Sequence, residues 1–241
     1  MVSLATLTWS SSNVRSAGHL YQYQYQYNIV FQVKNGFFIE AGADDFEKDS
    51  NSLYLELELG WTGLLVEPSP VIYPKGFLKQ RKAWASPTCL STKTRPEIVP
   101  FASRTVENGS AGIARERGEG TFDIQCLPLY SLIRAVGNVT INYLSLDIEG
   151  AELPVLQTLP WEDLDIEVMT VETNHAGEVF PGTRQELRDF LDLKGYVFIT
   201  CLSGVDDVFV REDLYHGKYA PDYEAVRRLM EREEMAEKME L

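Results

Sequence analysis

The sequence predicts an α/β protein built on an open, mostly parallel sheet, with helices on both faces and an antiparallel pair of strands at the end. Three observations support this fold. Apolar runs that suit buried strands alternate with amphipathic helical segments along most of the chain. Several of these runs end in an acidic residue or a glycine. Two further strand-like runs, "YVFITCL" and "DDVFVRE", follow each other directly near the end.

The first half of the predicted sheet comes from three strands. "GFFIEAG" is the first buried strand, and a helix from about Ser50 follows it, with Ser50 or Asn51 capping the exposed amides. "TGLLVEP" is the second strand, after which Pro68 and Pro70 open the next helix. "KAWASPTCLS" is the third strand.

The second half begins with a segment, 103–120, that is rich in Gly, Glu and Arg and has no periodicity, which predicts a mobile loop. A loop of this length is usually functional or disordered. "TFDIQCLPLYSLI" then predicts a strand and a short helix, and "INYLSLDIEGAELPVLQTL" a strand that runs directly into a helix. "IEVMTVETN" is a strand and "TRQELRDFLDLKGY" a helix ending at Gly195, before the antiparallel pair.

We divide the chain into three segments. Residues 1–34 form an N-terminal arm, in which "YQYQYQYN" fits a strand or an extended arm and equally a sticky surface segment. Residues 35–214 form the main domain. Residues 215–241 form a charged helix that lies on the surface or pairs with a partner helix, so a homodimer stays open.

Charge and hydrophobicity narrow the range of partners. The 241 residues carry a formal net charge of −14, which argues against binding nucleic acid or an anionic membrane surface. No apolar run approaches the ~20 residues of a membrane-spanning helix, and the first twenty residues lack the apolar core of a signal peptide. Small molecules, sugars and proteins remain as partners, and we expect a cytoplasmic location.

The three cysteines, Cys89, Cys126 and Cys201, are odd in number and widely spaced. This pattern predicts buried thiols and neither a disulfide framework nor a zinc ribbon. Sequons at Asn108 and Asn138 would permit glycosylation if the chain were secreted, although sequons are common by chance.

Gly42 and Glu67 form the first candidate site, because ligands of open α/β sheets bind beyond the carboxyl ends of the strands. Gly42 lets a ligand approach the backbone, and Glu67 at the tip of the next strand can accept two ribose hydroxyls. The turn between them is acidic and lacks the glycines of a dinucleotide site. A cationic sulfonium is therefore favoured over a phosphate, which points to S-adenosylmethionine.

Asp147 and Glu149 form the second candidate site, because residues two apart at a strand end project to the same side. Glu172 and Asn174 repeat that spacing on the following strand. If the strands are neighbours, these side chains could hold acceptor hydroxyls, bind a hard cation such as Mg²⁺, or supply a general base. His175 adjoins them and is a candidate base. Solvated strand ends and a surface histidine are the non-functional alternatives.

Three segments resemble the FkbM-type methyltransferases, in particular the invertebrate branch related to Star. They are "FFIEAGADDFEKDSNSLYLELELGWTGLLVEPSPVIY", "FDIQCLPLYSLI" and "YLSLDIEGAELPVLQTLPW", and the likeness covers about residues 35–211. The resemblance implies a seven-stranded class I methyltransferase sheet, S-adenosylmethionine as cofactor, and O-methylation of a hydroxyl on a small molecule or glycan. It also allows a location in the secretory pathway.

By position, the resemblance assigns residues to both candidate sites. The cofactor residues are Glu40, Gly42, Asp45, Ser50, Asn51, Glu67, Asp123, Cys126 and Asp147. Asp147 and Glu149 lie beside the transferred methyl, so with His175 they are the catalytic candidates; Asp147, Glu149 and Glu172 are the metal candidates. The departure is Phe46, where the family has glycine, because a ring there could fill the methionine pocket. A non-catalytic binding or trafficking protein on the same fold is therefore the alternative, and a nicotinamide dehydrogenase comes third.

Overall fold

The computed structural model describes residues 33–103 and 111–216. The Tyr-Gln repeat, most of the predicted arm and the charged C-terminal segment lie outside these ranges. The strands are β1 Phe37–Ala41, β2 Thr62–Val66, β3 Trp84–Ser86, β4 Cys89–Leu90, β5 Glu97–Ser103, β6 Ala111–Ile113, β7 Thr121–Leu127, β8 Ile141–Leu146, β9 Ile166–Glu172, β10 Tyr196–Leu202 and β11 Asp206–Arg211. The helices are α1 Leu53–Leu59, α2 Tyr73–Phe77, α3 Leu129–Ala135, α4 Glu152–Gln157, α5 Arg184–Asp192 and α6 Glu212–Tyr215, with a 3₁₀ turn at Trp161–Asp163.

Seven strands form the main sheet in the order β10-β11-β9-β8-β1-β2-β3. Pairing is parallel from β3 to β9, whereas β11 runs antiparallel to both β9 and β10. The predicted mostly parallel sheet and its terminal antiparallel pair are therefore confirmed. The order reverses between β1 and β8, so the carboxyl ends of these two strands open onto the crevice where such sheets bind ligands.

Both faces of the main sheet are buried, which explains why its central strands read as continuous apolar runs. Along β1, Phe37 and Ile39 belong to one hydrophobic cluster with α3, α4 and α5, whereas Phe38 belongs to a second cluster that includes Phe46 and Leu55. Alternate residues of a strand point to opposite faces, so each cluster is the core on one side of the sheet.

A second sheet of four strands, in the order β4-β7-β5-β6, was not predicted. The segment "KAWASPTCLS" is two strands, of which β3 extends the main sheet and β4 joins the second. The predicted loop at 103–120 contains β6, which pairs with β5. Strands β3, β4 and β6 are three residues long or shorter, and they carry too few side chains for a pattern to show.

The prediction of buried thiols is wrong for two of the three cysteines. Cys89 and Cys126 face each other in β4 and β7 and form a disulfide, although we expected buried thiols. Only a tertiary contact brings them together, because 37 residues separate them in the sequence. Cys201 is a free, half-buried thiol.

Two helix starts also differ from the prediction. Helix α1 begins at Leu53 behind Ser52, three residues later than predicted, and the side chain of Ser52 makes no cap hydrogen bond. The Ser50 hydroxyl does accept from the Leu53 amide at 3.2 Å, as predicted for a capping residue. Helix α2 begins at Tyr73, three residues beyond Pro70. Within the described ranges, no helix has the length and apolar character needed to cross a membrane.

Candidate functional site: two adjoining clefts

A cleft that we call the first cleft lies at the carboxyl ends of β1, β2 and β8. Gly42, Glu67 and Asp147 contribute its polar wall, one from the end of each strand. The opposite wall comes from the second sheet, through Cys89, Leu90, Phe101, Ala111 and Ile113. Ligand pockets commonly combine an apolar lining with a few polar groups in this way.

Gly42 is required by the close approach of β1 and β8. Its φ is 84°, and a Cβ on this residue would lie 1.8 Å from the backbone carbonyl oxygen of Asp147. Its amide donates to Val66 at 3.0 Å, so the chain turns directly over the end of β2. Glycine is therefore needed here for two reasons: the backbone is left-handed, and the contact leaves no room for a side chain.

Glu67 lies at the bottom of the first cleft with 5% of its surface exposed. Its two carboxylate oxygens accept from the backbone amides of Ser69 at 2.7 Å and Asp44 at 3.1 Å. Burial raises the pKa of Glu67 to about 7, although these two hydrogen bonds act in the opposite direction. Each oxygen keeps a further lone pair for a ligand hydroxyl.

The carboxylate of Glu40 supports the acidic turn from beneath and does not line either cleft. It accepts from the Ser50 hydroxyl at 2.8 Å, from the Asn51 amide at 2.7 Å, and from the Ser52 hydroxyl. Burial raises the pKa of Glu40, and the hydrogen bonds and Arg81 oppose that rise. The structure thus gives Glu40, Ser50 and Asn51 a role in fixing the shape of the turn.

Arg81 closes this network from the other side. Its guanidinium donates to the hydroxyls of Ser50 and Ser52 at 3.2 and 2.9 Å, to the Phe46 carbonyl, and to Glu56 at 3.1 Å. Only 4% of the Arg81 side chain and 2% of the Glu56 side chain are exposed. We call Glu40, Ser50, Ser52, Glu56 and Arg81 the loop frame.

The ring of Phe46 points away from the first cleft and into the core. Phe46 has φ 70° and is 1% exposed, and its ring packs edge-to-face on Tyr73 with centroids 5.6 Å apart. A Cβ on Gly76 would lie 2.7 Å from this ring, so Gly76 leaves the space that the ring occupies. Phe46 therefore keeps the left-handed backbone that glycine favours, and its side chain takes no volume from the cleft.

Three other predicted cofactor residues lie outside the lining of the first cleft. Asp45 accepts from the amides of Glu47 and Lys48 within the turn, at 3.1 and 2.7 Å. Asp123 is exposed on β7 and pairs with Arg117 at 2.8 Å. Cys126 is buried in the disulfide, and its partner Cys89 is the one that lines the cleft.

A second cleft adjoins the first. Glu149, His175 and Glu178 line it with Arg115 and residues of β5 and β6. Ala111 and Ile113 line both clefts, so the short strand β6 stands between them. A Cβ on Gly112 would lie 3.1 Å from the Cβ of Glu149, which shows how closely β6 packs on the turn after β8.

Asp147 and Glu172, from the neighbouring strands β8 and β9, form a pair of carboxyl groups. Burial and the charge of Asp147 raise the pKa of Glu172; burial also raises the pKa of Asp147, although the hydrogen bond from Glu172 opposes this. A protonated Glu172 that donates to Asp147 accounts for both directions. Oε2 of Glu172 is buried and has no hydrogen-bond partner among the described residues.

His175 is surrounded by carboxylates. Its Nε2 lies 3.4 Å from Glu149 and 3.8 Å from Glu172, and its Nδ1 lies 3.1 Å from Glu178. Gly150 (φ 94°) permits this arrangement, because a Cβ there would lie 2.9 Å from the His175 carbonyl oxygen. Of the four side chains predicted to converge on one cleft, Asp147 lines the first cleft and Glu149 the second. Glu172 lies between Asp147 and His175, and Asn174 is exposed and lines neither cleft.

Glu152 holds the turn that carries Glu149. Its carboxylate accepts from the amides of Ile148 at 2.8 Å and Gly150 at 3.2 Å, and burial raises its pKa to about 7. The sequence offered a signal for this role, since an acid at the start of a helix commonly binds free amides. It offered none for β6 or Glu178, which reach the clefts only through tertiary packing.

The sheet order and the site at the ends of β1, β2 and β8 define a Rossmann-like class I methyltransferase fold. The family model of the methyltransferase FkbM domain matches residues 40–198, which is more than half of the chain. The chain therefore belongs to the FkbM methyltransferase family. No curated protein matches it significantly.

Two solved structures illustrate its structural relatives. A methyltransferase FkbM from Methylobacillus flagellatus KT aligns with a TM-score of 0.47 and 10% identity, over 73% of this chain and 43% of that one. A TehB-like SAM-dependent methyltransferase from Corynebacterium glutamicum ATCC 13032 Kitasato aligns with a TM-score of 0.43 and 8% identity, over 83% and 90% of the two chains. The chain thus spans less than half the length of the first.

Proposed function

We propose that the protein transfers a methyl group from S-adenosylmethionine to a hydroxyl of a small molecule or glycan. The observation that carries the proposal is the pair of adjoining clefts. The first offers a buried carboxylate at the tip of β2, and the second offers an imidazole among carboxylates. Only the short strand β6 separates them, so a donor and an acceptor can meet at its edge.

The first cleft suits the cofactor. Glu67 has free lone pairs for two ribose hydroxyls, and its position at the end of β2 is where nucleoside-binding sheets place such an acid. Gly42, which has no side chain, lets a ligand approach the backbone beside Glu67. The acidic turn itself contributes shape more than charge, because Asp45 and Glu47 pair with Lys79 at 3.9 and 2.8 Å. The burial of Phe46 removes the steric objection to cofactor binding.

The second cleft suits an acceptor with a hydroxyl group. Bound S-adenosylmethionine supplies an activated methyl, so the protein must orient the hydroxyl, exclude water and take up the proton. His175 is our candidate for the base, because Glu178 on Nδ1 orients the ring and leaves Nε2 on the side of Glu149. Asp147 is placed less well for this role, since Glu172 already donates to it.

A divalent cation would fit the same cluster, and His175 would then be a ligand of the cation in place of the base. Glu149, Glu172 and His175 each offer a ligand atom within 4.8 Å of the others, and the buried Oε2 of Glu172 lacks a partner among described residues. An imidazole ligand favours Mn²⁺ or Fe²⁺ over the Mg²⁺ that an all-carboxylate set would favour. The sequence-predicted set differs in using Asp147 where the geometry offers His175.

Calorimetric titration with S-adenosylmethionine tests the cofactor site. Glu67→Ala should weaken binding at least tenfold, because hydrogen bonds to a charged acceptor contribute roughly 1.5–3 kcal/mol each. Glu58→Ala, which removes an exposed acid of α1, should leave affinity unchanged. Absence of binding by the native chain at millimolar cofactor would contradict the proposal and favour the non-catalytic alternative.

Transfer of a labelled methyl to hydroxyl compounds and glycans tests the second cleft. His175→Gln should abolish transfer while the cofactor affinity stays at the native value. Repeating both measurements with a chelator, with Mn²⁺ and with Mg²⁺ tests the cation. Binding heat from Mn²⁺ that Glu149→Gln removes would support a metal site, whereas equal behaviour in the chelator would exclude a requirement for one.

A further inference from the structure

The disulfide joins two neighbouring strands of the second sheet where that sheet lines the first cleft. Cys89 belongs to β4, which has two residues, and it stands opposite Cys126 of β7 with Cα atoms 4.3 Å apart. Both cysteines are buried, and Cys89 and Leu90 line the first cleft. Beyond this bond, β4 is held to β7 by few contacts, among them the hydrogen bond from the Ser91 amide to Leu127 at 2.9 Å.

Closing this bond requires an oxidant. Two thiols lose two protons and two electrons, which thiol–disulfide exchange passes to an oxidised dithiol carrier or to oxidised glutathione. Such acceptors keep disulfides closed in the secretory lumen and outside cells, and thiols stay reduced in the cytosol. Cys201 remains outside this chemistry: burial raises the pKa of its thiol to about 11, and no other described cysteine is free to pair with it.

The sequon at Asn138 lies on the surface, where the glycosylation machinery of the secretory lumen could reach it. Asn138 and Val139 are exposed in the turn between α3 and β8, and Asn138 has φ 52°. This turn precedes the amino end of β8, whereas both clefts lie beyond its carboxyl end. Six strand residues separate the two ends, about 20 Å. A glycan on Asn138 would therefore leave both clefts open.

We propose that this domain is built for an oxidising compartment, in which the Cys89–Cys126 disulfide closes and Asn138 receives an N-linked glycan. In the second step the amide nitrogen of Asn138 bonds to the first sugar of a lipid-linked oligosaccharide. The amide gives up a proton and the lipid pyrophosphate leaves. The proposal is independent of the methyl acceptor and replaces the expectation of a cytoplasmic location.

The experiment compares the full chain made in the cytosol of animal cells with the same chain directed to their lumen by a cleavable signal. Maleimide labelling in denaturant should find one thiol in the lumenal protein before reduction and three after it. Cys201→Ser should lower the first count to zero, and Cys89→Ser should raise it to two. Three labelled thiols without reductant would overturn the proposal.

Peptide-N-glycosidase F and mass spectrometry test the glycan on the same lumenal protein. Release should convert Asn138 to Asp in its tryptic peptide, and Asn138→Gln should remove the corresponding mobility shift. Asn108→Gln is the matched variant in the other sequon and should not affect the Asn138 peptide. An unmodified Asn138 would overturn the proposal.

Thermal unfolding provides the third measurement. A bond that closes a loop of this length should raise the melting temperature, so reduction of the lumenal protein should lower it by about 10 °C. Cys89→Ser should show the lower value with or without reductant. A melting temperature that reduction leaves unchanged would contradict the role assigned to the disulfide.

Discussion

The acidic turn after β1 and the carboxylate cluster after β8 and β9 are both rich in acids, but the acids have different partners in the two regions. In the turn, Glu40 accepts hydrogen bonds from three neighbouring residues, and Glu56 pairs with Arg81. In the cluster, Glu172 faces Asp147 and keeps one buried oxygen without a partner among described residues. The first region contains a buried arginine, whereas in the second His175 lies beside Glu149 and Glu172.

The difference shows that carboxylates have a structural role in the turn and are available for chemistry in the cluster. Carboxylates that receive several fixed donors from one segment stabilise one backbone conformation of that segment. Carboxylates that face each other raise each other's pKa and gain from any ligand that brings a proton donor or a cation. The turn therefore shapes the first cleft, whereas the cluster is the region that we propose acts on a substrate.

Removal of Arg81 from the loop frame should have the largest effect on stability. Arg81→Met should lower the free energy of unfolding by about 3–5 kcal/mol, because it leaves the buried Glu56 without a cation and withdraws donors from two serines. Urea denaturation measures this loss, and cofactor affinity should fall with it.

Lys79→Met is the control for Arg81, since Lys79 also pairs with acids of the turn but is exposed. This variant should unfold at the native urea concentration. Equal destabilisation by both substitutions would show that net charge, and not the buried network, holds the turn.

A matched pair of amide substitutions compares the two regions directly. Glu40→Gln should lower the free energy of unfolding by about 2 kcal/mol, because an amide group would face donors, and Ser50 and Ser52 already accept from Arg81. Glu172→Gln should cost less than about 1 kcal/mol, since its amide can donate to Asp147 as the protonated acid does. Both values come from urea denaturation at neutral pH with a chelator present. The reverse ranking would contradict the contrast between the two regions.

The last prediction concerns the pH dependence of cofactor binding through Glu67. The carboxylate is the form that accepts two ribose hydroxyls, and burial raises its pKa to about 7. Affinity should therefore fall as pH decreases, by about tenfold between pH 8 and pH 6. Titration calorimetry on Glu67→Gln provides the control, because this variant retains any titration of the ligand itself. An identical pH profile for both proteins would exclude Glu67 as the ribose acceptor.

Much of the fold could be predicted because long buried strands have a strong local signature. "GFFIEAG" and "INYLSL" are mostly apolar runs, and the acids that follow them were placed at the correct sheet edge. The second sheet was missed, since β4 and β6 contain only two and three residues. Their positions depend on pairing with β7 and β5, which no local pattern records.

Within the site, the sequence alone determined which residues end each strand, and so which acids could reach a ligand. The end of a buried strand is a local property of the sequence, and Gly42, Glu67 and Asp147 do follow β1, β2 and β8 directly. Strand alternation does not describe Glu149, which lies in the turn beyond β8 with φ 59° and lines the other cleft. Only the tertiary structure decided that Glu40 serves the turn, that the Phe46 ring lies in the core, and that Cys89 meets Cys126. Each of these outcomes depends on which side chain from a distant segment fills the neighbouring space, and close packing sets that for the whole domain at once.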